Sequence, residues 1–374
     1  MIPLPLLVFL SLFFSLTALS RETPSFIELK TIEGRTWLVD ASGQPFFAHG
    51  VTHLAYGHDE ELKPLAAAIR NLGFNSLGYG CPDILKSDWL YPEGRNYLVP
   101  MSTYRIGSGS FSYVDIFDPA EQQRIETIIR RMCETNRDNP NLIGYFWTDL
   151  AAWPLEGFDA PNWVEFIRSL PEESPGQQAY QRFLETWEGD DPGQRDLAFL
   201  RLIAREYFRV CGEANRKYDP HHLIFGDRFA FRTIVPEVLE EMLPYVDAIA
   251  IQPPFNPGFP KAQFEEIHKM TGKPILICDF AIRFEEEGKE IRGWRPQPNA
   301  QAAGEKYTAY IKAALDTPYI LGSFWCTPVN SYDSFLTDGK IKQGIFGEGI
   351  EPRPDLNQAL IKLNQHIQDR TPRM

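Results

Sequence analysis

Two aspartates, Asp149 and Asp279, each stand just beyond a short apolar run, Leu142–Trp147 and Pro274–Ile277. Cleaving a glycosidic bond needs two carboxyl groups on opposite sides of that bond, one to protonate the leaving oxygen and one to attack or to activate water. Burial at the end of a strand lets such a pair divide its roles, because desolvation favours the protonated form of one acid. A single Asp after a strand is more often a helix N-cap or an ion-pair partner. Two of them at equivalent places, with aromatic neighbours, point to a site, and Asp149 and Asp279 are its candidate catalytic residues.

Binding a sugar takes flat apolar faces for the C–H side of the ring and hydrogen-bonding groups for the hydroxyls. Trp325, after the run Ile320–Phe324, is the first candidate platform, and Trp147, Trp153, Tyr79 and Tyr56 are candidates for the rest of a cleft. His53, Asp227, Arg228, Gln252 and Asn330 are candidates to read hydroxyls, with Arg228 also suited to hold a carboxylate by both oxygens. Other chemistries find less support. His221-His222 precede an apolar run, no H-x-H or H-E-x-x-H pattern occurs, and the five cysteines follow no zinc spacing, so neither a metal nor another cofactor is expected. No G-x-S-x-G elbow suggests an esterase. Gly107-Ser108-Gly109-Ser110 precedes an aromatic and acidic segment rather than a helix, and reads as a flexible loop rather than a phosphate cradle.

The elements that must position these residues alternate. Short β-branched or aromatic runs and amphipathic stretches follow one another from Phe46 to Phe346, the pattern of a parallel sheet covered by helices. Eight strands are assigned: Phe46–Val51, Ser76–Tyr79, one within Tyr97–Ile106, Leu142–Trp147, Leu223–Phe225, Ala248–Ile251, Pro274–Ile277 and Ile320–Phe324. Helices are expected at Glu61–Leu72, Pro119–Thr135 and Leu197–Tyr218. The fold class is α/β, a (β/α)8 TIM barrel with an N-terminal β-hairpin across the turn Ala41-Ser42-Gly43-Gln44 and a long insertion, Trp153–Asp196, after strand four. Sites in such barrels lie at the C-terminal ends of the strands, where every candidate above falls.

Composition sets the boundaries. The first twenty residues are apolar and uncharged and end in Ala18-Leu19-Ser20, so 1–20 reads as a signal peptide or membrane anchor and 21–374 as a single domain, exported to the periplasm, the exterior or the membrane surface. A net charge of −13 argues against nucleic acid and anionic membranes, whose binding takes Lys/Arg patches; no protein partner is implied, and a neutral polysaccharide or oligosaccharide is the easier fit. The cysteines, odd in number, read as buried small apolar thiols.

At the strand ends the sequence resembles clan-A glycoside hydrolases, and most closely the family-50 β-agarases. The matching blocks are Phe46-Phe47-Ala48-His49-Gly50-Val51, Leu72-Gly73-Phe74-Asn75, Asp115-Ile116-Phe117-Asp118-Pro119 and Asn141-Leu142-Ile143-Gly144-Tyr145-Phe146. They continue with His222-Leu223-Ile224-Phe225-Gly226-Asp227-Arg228-Phe229, Lys273-Pro274-Ile275-Leu276-Ile277-Cys278-Asp279-Phe280 and Gly322-Ser323-Phe324-Trp325. Together they cover most of the barrel in the family's order. The resemblance implies a retaining hydrolase of galactan-type polysaccharide, exo- or endo-acting, without a cofactor.

It also marks two departures. The family pattern after strand four is G-Y-F-x-D-N-E, ending in the acid/base Glu; counted from Gly144, Asp149 stands at the Asn position and Leu150 at the Glu position. After strand seven the family's Gly-Glu-Phe, whose Glu is the nucleophile, is Cys278-Asp279-Phe280. A Glu-to-Asp change withdraws the carboxylate by about 1.5 Å, while a retaining pair tolerates a separation of only about 5–5.5 Å. Three outcomes are open: Asp149 serves as acid through a one-residue realignment, a wider pair admits water and inverts, or the barrel binds sugar without cleaving it. Transfer or elimination on a sugar is a further use of the same barrel.

Overall fold

The computed structural model describes residues 26–54, 59–86, 88–93, 105–106, 109–110, 113–157, 162–254, 258–285, 296–329 and 341–373. The segment 1–20 lies outside them, as do Tyr56 and Asn330. Among the described residues no helix is long and apolar enough to cross a membrane.

An antiparallel sheet opens the chain: β1 (Glu28–Ile32) pairs β2 (Arg35–Val39), which pairs β3 (Pro45–Phe46) with Leu38 opposite Phe46. The β2–β3 turn is held by Asp40, whose Oδ1 accepts from the Ser42 and Gln44 amides. There follow β4 (Ala48–Thr52), α1 (Asp59–Asn71), β5 (Ser76–Leu77), α2 (Asp83–Lys86), β6 (Tyr91–Glu93), β7 (Arg105–Ile106), β8 (Gly109–Ser110), α3 (Pro119–Asn136) and β9 (Leu142–Phe146). The insertion holds α4 (Trp163–Arg168) and α5 (Pro175–Thr186), ahead of α6 (Pro192–Tyr218). Next come β10 (Leu223–Gly226), β11 (Arg228–Ala230), α7 (Pro236–Met242), β12 (Ile249–Gln252), α8 (Lys261–Thr271), β13 (Ile275–Phe280), β14 (Phe284–Glu285), α9 (Ala300–Leu315), β15 (Ile320–Cys326), β16 (Ile341–Lys342) and α10 (Pro354–Arg370).

Parallel pairing runs β11-β12-β13-β15-β4-β5 in one sheet and β6-β9-β10 in another. The two join at both ends: Leu90 bridges Ser76 in parallel, and β10 and β11 are halves of one strand broken at Asp227. Eight strand positions therefore close into a TIM barrel. Its interior packs Ile143, Phe146, Phe225, Ala250, Leu276 and Phe324 into one apolar cluster with Ile27, Leu38 and Phe46 of the N-terminal sheet, which thus plugs the barrel's N-terminal end. Arg35 ties that plug to the wall through the carbonyls of Leu315, Thr317 and Ile320. The five cysteines are buried and free.

Two strand assignments change. Strand three lies at Tyr91–Glu93, parallel to β9, rather than within Tyr97–Ile106; of that stretch, Arg105–Ile106 pairs antiparallel with Gly109–Ser110, so the Gly-rich stretch ends in a hairpin strand. Pro92, lacking an amide donor, hides the strand from a propensity reading. Its neighbours carry the bonds: the Leu77 amide donates to Leu90 O at 2.7 Å and the Tyr91 amide to Asn141 O at 3.0 Å. Strand five does not stop at Phe225 but resumes through Arg228–Ala230 beyond a kink.

Candidate active site at the C-terminal mouth of the barrel

The kink between β10 and β11 decides what reaches the mouth. Gly226 sits at φ +71°, and a Cβ there would fall 2.5 Å from Met242 Sδ, so glycine alone fits. The turn sends Asp227 outward, toward the helices, and Arg228 inward. The Arg228 amide donates to Thr148 O at 2.9 Å, which draws the end of β9 alongside.

Arg228 is 1% exposed and every part of its guanidinium is engaged. Nη1 lies 2.8 Å from Asp149 Oδ1, and Nη2 lies 3.9 Å from Asp279 Oδ2. Nη2 also donates to Gln252 Oε1 at 2.8 Å, and Nε to Cys278 Sγ at 3.2 Å. The carbon of the group stands 3.7 Å from the centre of the Tyr79 ring, a cation–π contact. Burial works against this charge, but Asp149 foremost, with Cys278, Tyr79 and Asp279, outweighs it and holds the guanidinium pKa above its ordinary value.

Asp279, at 2% exposure, has both oxygens occupied: Thr52 Oγ1 donates to Oδ1 at 2.8 Å and the Tyr79 hydroxyl to Oδ2 at 2.9 Å. Burial pushes the Tyr79 phenol well up, so it remains a donor. The Asp149 side chain is 27% exposed and is the more open of the two acids. His53 completes the rim. Its Nδ1 is 3.0 Å from Thr52 Oγ1, its ring meets Tyr79 edge-on at 4.5 Å, and burial lowers its pKa against the pull of Asp279.

Three non-glycine residues here occupy the left-handed region: His53 (φ 53°), Leu150 (φ 48°) and Thr327 (φ 60°), just beyond the ends of β4, β9 and β15. For a β-branched residue such as Thr327 this is a costly conformation, and strain of this kind gathers at functional sites.

The structure thus brings together Asp149, Asp279, Arg228, Gln252, Tyr79 and His53. It places four other candidates, Trp147, Trp153, Trp325 and Asp227, on the helix side of the wall. Trp147 donates its indole N–H to Asn215 Oδ1 at 3.0 Å and packs on Phe208. Trp325, fully buried, donates to Gln343 O at 3.0 Å and packs on Tyr307, so neither indole offers a ring face to the mouth. Asp227 accepts from Trp153 Nε1 at 3.0 Å and from the Tyr207 hydroxyl at 3.2 Å, and burial pushes its carboxyl up to about 7. Asn330 lies outside the described residues. Sequence reasoning passed over Cys278 and Cys326, which treats a buried thiol as core; the alternation of β13, which puts Cys278 on the interior face, is the signal that marks it.

No family model matches the chain. Beta-agarase B of Vibrio sp. (strain JT0107) is 22% identical over 302 residues, covering 70% of this chain and 32% of the agarase, so the chain spans about a third of that relative. The agarase AgWH50C aligns in three dimensions with a TM-score of 0.74 at 18% identity, over 92% of this chain and 64% of that one. A β-glucuronidase from an uncultured Clostridium sp. aligns with a TM-score of 0.53 at 13% identity, over 92% and 53%. The chain therefore shares its barrel fold with the agarase AgWH50C and with that β-glucuronidase, and a weak sequence likeness with Beta-agarase B.

Proposed function

We propose that this chain, as an exported single-domain protein, hydrolyses glycosidic bonds in a galactan- or agar-type or related polysaccharide or oligosaccharide. Asp149 acts as acid/base and Asp279 as nucleophile or as base for water. One observation carries the reading: carboxylates from the ends of β9 and β13 both lie on the guanidinium of Arg228. They therefore flank one small volume at the mouth, as a bond-cleaving pair must. Arg228, Tyr79 and Thr52 fix the two acids before substrate arrives, which lowers the reorganisation left for the reaction.

The test is release of reducing ends from a panel of marine and plant galactans and related glycans. The Asp279→Ala variant, still folded by circular dichroism, should lose activity by on the order of 10⁴-fold, as removal of a residue from a concerted unit does. Full activity in that variant would end the assignment. NMR of the first-formed anomer then separates retention from inversion.

A second reading, a barrel that binds sugar without cleaving it, is favoured by the full set of bonds already made to Asp279 and by Leu150 beside Asp149. Calorimetry that finds binding to one of these glycans, with no product after long incubation, selects it.

A further inference from the structure

We propose that His53, Asp279 and Cys326 form a site for a thiophilic divalent cation of the zinc type. Three neighbouring strands deliver the donors. β13, β15 and β4 lie side by side, with Cys326 opposite Thr52 and Trp325 opposite Phe280, so the residue after Thr52 and the residue before Phe280 meet at Cys326. One ligand atom from each of the three lies within 4.8 Å of the others. A tetrahedral zinc with Zn–N and Zn–O of about 2.0 Å and Zn–S of about 2.3 Å separates one sulfur, one nitrogen and one oxygen ligand by roughly 3.3–3.5 Å. His53 Nδ1 and Cys326 Sγ are 3.8 Å apart, so sulfur and nitrogen need close by only a few tenths of an ångström.

Donor chemistry sets the class of cation. A sulfur beside an imidazole and a single carboxylate suits zinc and its relatives and disfavours calcium or magnesium, which take oxygen cages. Three protein ligands leave a fourth position for water or a substrate oxygen. Thr52 and Tyr79, donating to the two oxygens of Asp279 at 2.8 and 2.9 Å, are outer partners that aim the carboxylate. Two of the three strained residues lie here just beyond β4 and β15: His53, itself a ligand, and Thr327, next to Cys326.

A cysteine thiol ordinarily carries its proton at neutral pH, whereas a metal binds the thiolate. Binding therefore exchanges one proton for the metal: the S–H bond breaks, the S–metal bond forms and the proton goes to solvent. Arg228, on the far side of Asp279, opposes the incoming charge, and the Asp149 carboxylate beyond it partly offsets that opposition. The cation site stands on its own geometry; one consequence rests on the hydrolase reading, namely that a bound cation occupies Asp279 and lowers hydrolysis at least tenfold.

The experiment titrates cobalt(II) into the chelator-treated full chain. One equivalent should raise a thiolate-to-cobalt charge-transfer band in the near ultraviolet, and zinc should abolish it. Cys326→Ser should lose the band, His53→Gln and Asp279→Asn should weaken binding at least tenfold, and Cys211→Ala should leave it intact. Absence of the band in the wild-type chain, or its survival in Cys326→Ser, overturns the proposal. If Cys326→Ser does not fold, unchanged cobalt affinity in His53→Gln and Asp279→Asn overturns it equally. Asp149→Ala separates the two readings, since it should keep the cobalt band, at an affinity lowered only by loss of the offsetting carboxylate, whether or not the chain proves to be a hydrolase.

Discussion

The two ends of the barrel are built on opposite principles. At the floor, Ile27, Leu38, Phe46, Ala48, Leu223, Ala248 and Leu321 meet with no charged group among them. That end is held mainly by desolvation of apolar surface, which needs no partner geometry, with the Arg35 bonds to three carbonyls as its polar tie. At the mouth, Arg228 and Asp279 are as deeply buried as the floor's leucines, but each is there only because specific partners hold it. A buried charge contributes little net stability even when well paired, and removing one partner leaves the other uncompensated. The floor therefore stabilises, while the mouth spends stability to keep polar groups in fixed places.

Four measurements would break or sharpen that contrast. Arg228→Ala should have the largest effect: Asp149 and Asp279 are left facing each other without their shared cation, and urea unfolding should show a loss of about 3–5 kcal/mol. A loss smaller than that of a floor truncation would mean that the mouth is not held by this ion pairing. Asp227→Asn comes next. The folded carboxyl at about 7 lies above its unfolded value of 3.8, so the native state keeps a proton that the unfolded chain has already released. This favours folding least at high pH: the full benefit is present below about 4, is lost as pH rises toward 7, and amounts to roughly 4–5 kcal/mol at about 1.4 kcal/mol per unit. The wild-type stability curve should fall over that window, and the Asn variant should flatten it. Leu38→Ala, at the floor, should cost about 3 kcal/mol while leaving any activity or sugar binding at the mouth unchanged, a result read by parallel unfolding and calorimetry. Asp118→Ala removes the α3 cap that accepts the Ala120 amide at 2.8 Å, outside both the floor cluster and the Arg228 network, and should cost only about 1 kcal/mol.

Asp227 and Asp279 sharpen the same point at close range. Both are buried acids at the upper rim, and by sequence alone they are equivalent, each following an apolar strand. One faces Trp153 and Tyr207 on the helix side; the other faces Thr52, Tyr79 and Arg228 inside. The glycine kink at 226 and the register shift of β13 before Phe280 send them to different surroundings.

What the sequence determined by itself was the architecture: the alternation of runs gives a closed eight-stranded barrel, the Ala41–Gln44 turn gives the N-terminal hairpin, and the ends of strands four and seven nominate Asp149 and Asp279. These are legible because period and turn chemistry are local. The strand at Tyr91–Glu93 was not, because Pro92 masks a pairing that only its neighbours complete. Nor could sequence say that Trp147, Trp325 and Asp227 turn toward the helices, or that His53, Asp279 and Cys326 converge. Spacing motifs detect donors on one turn or one helix. Residues this far apart in the chain become neighbours only when parallel strands set their register, and a single bulge then decides which face each side chain takes.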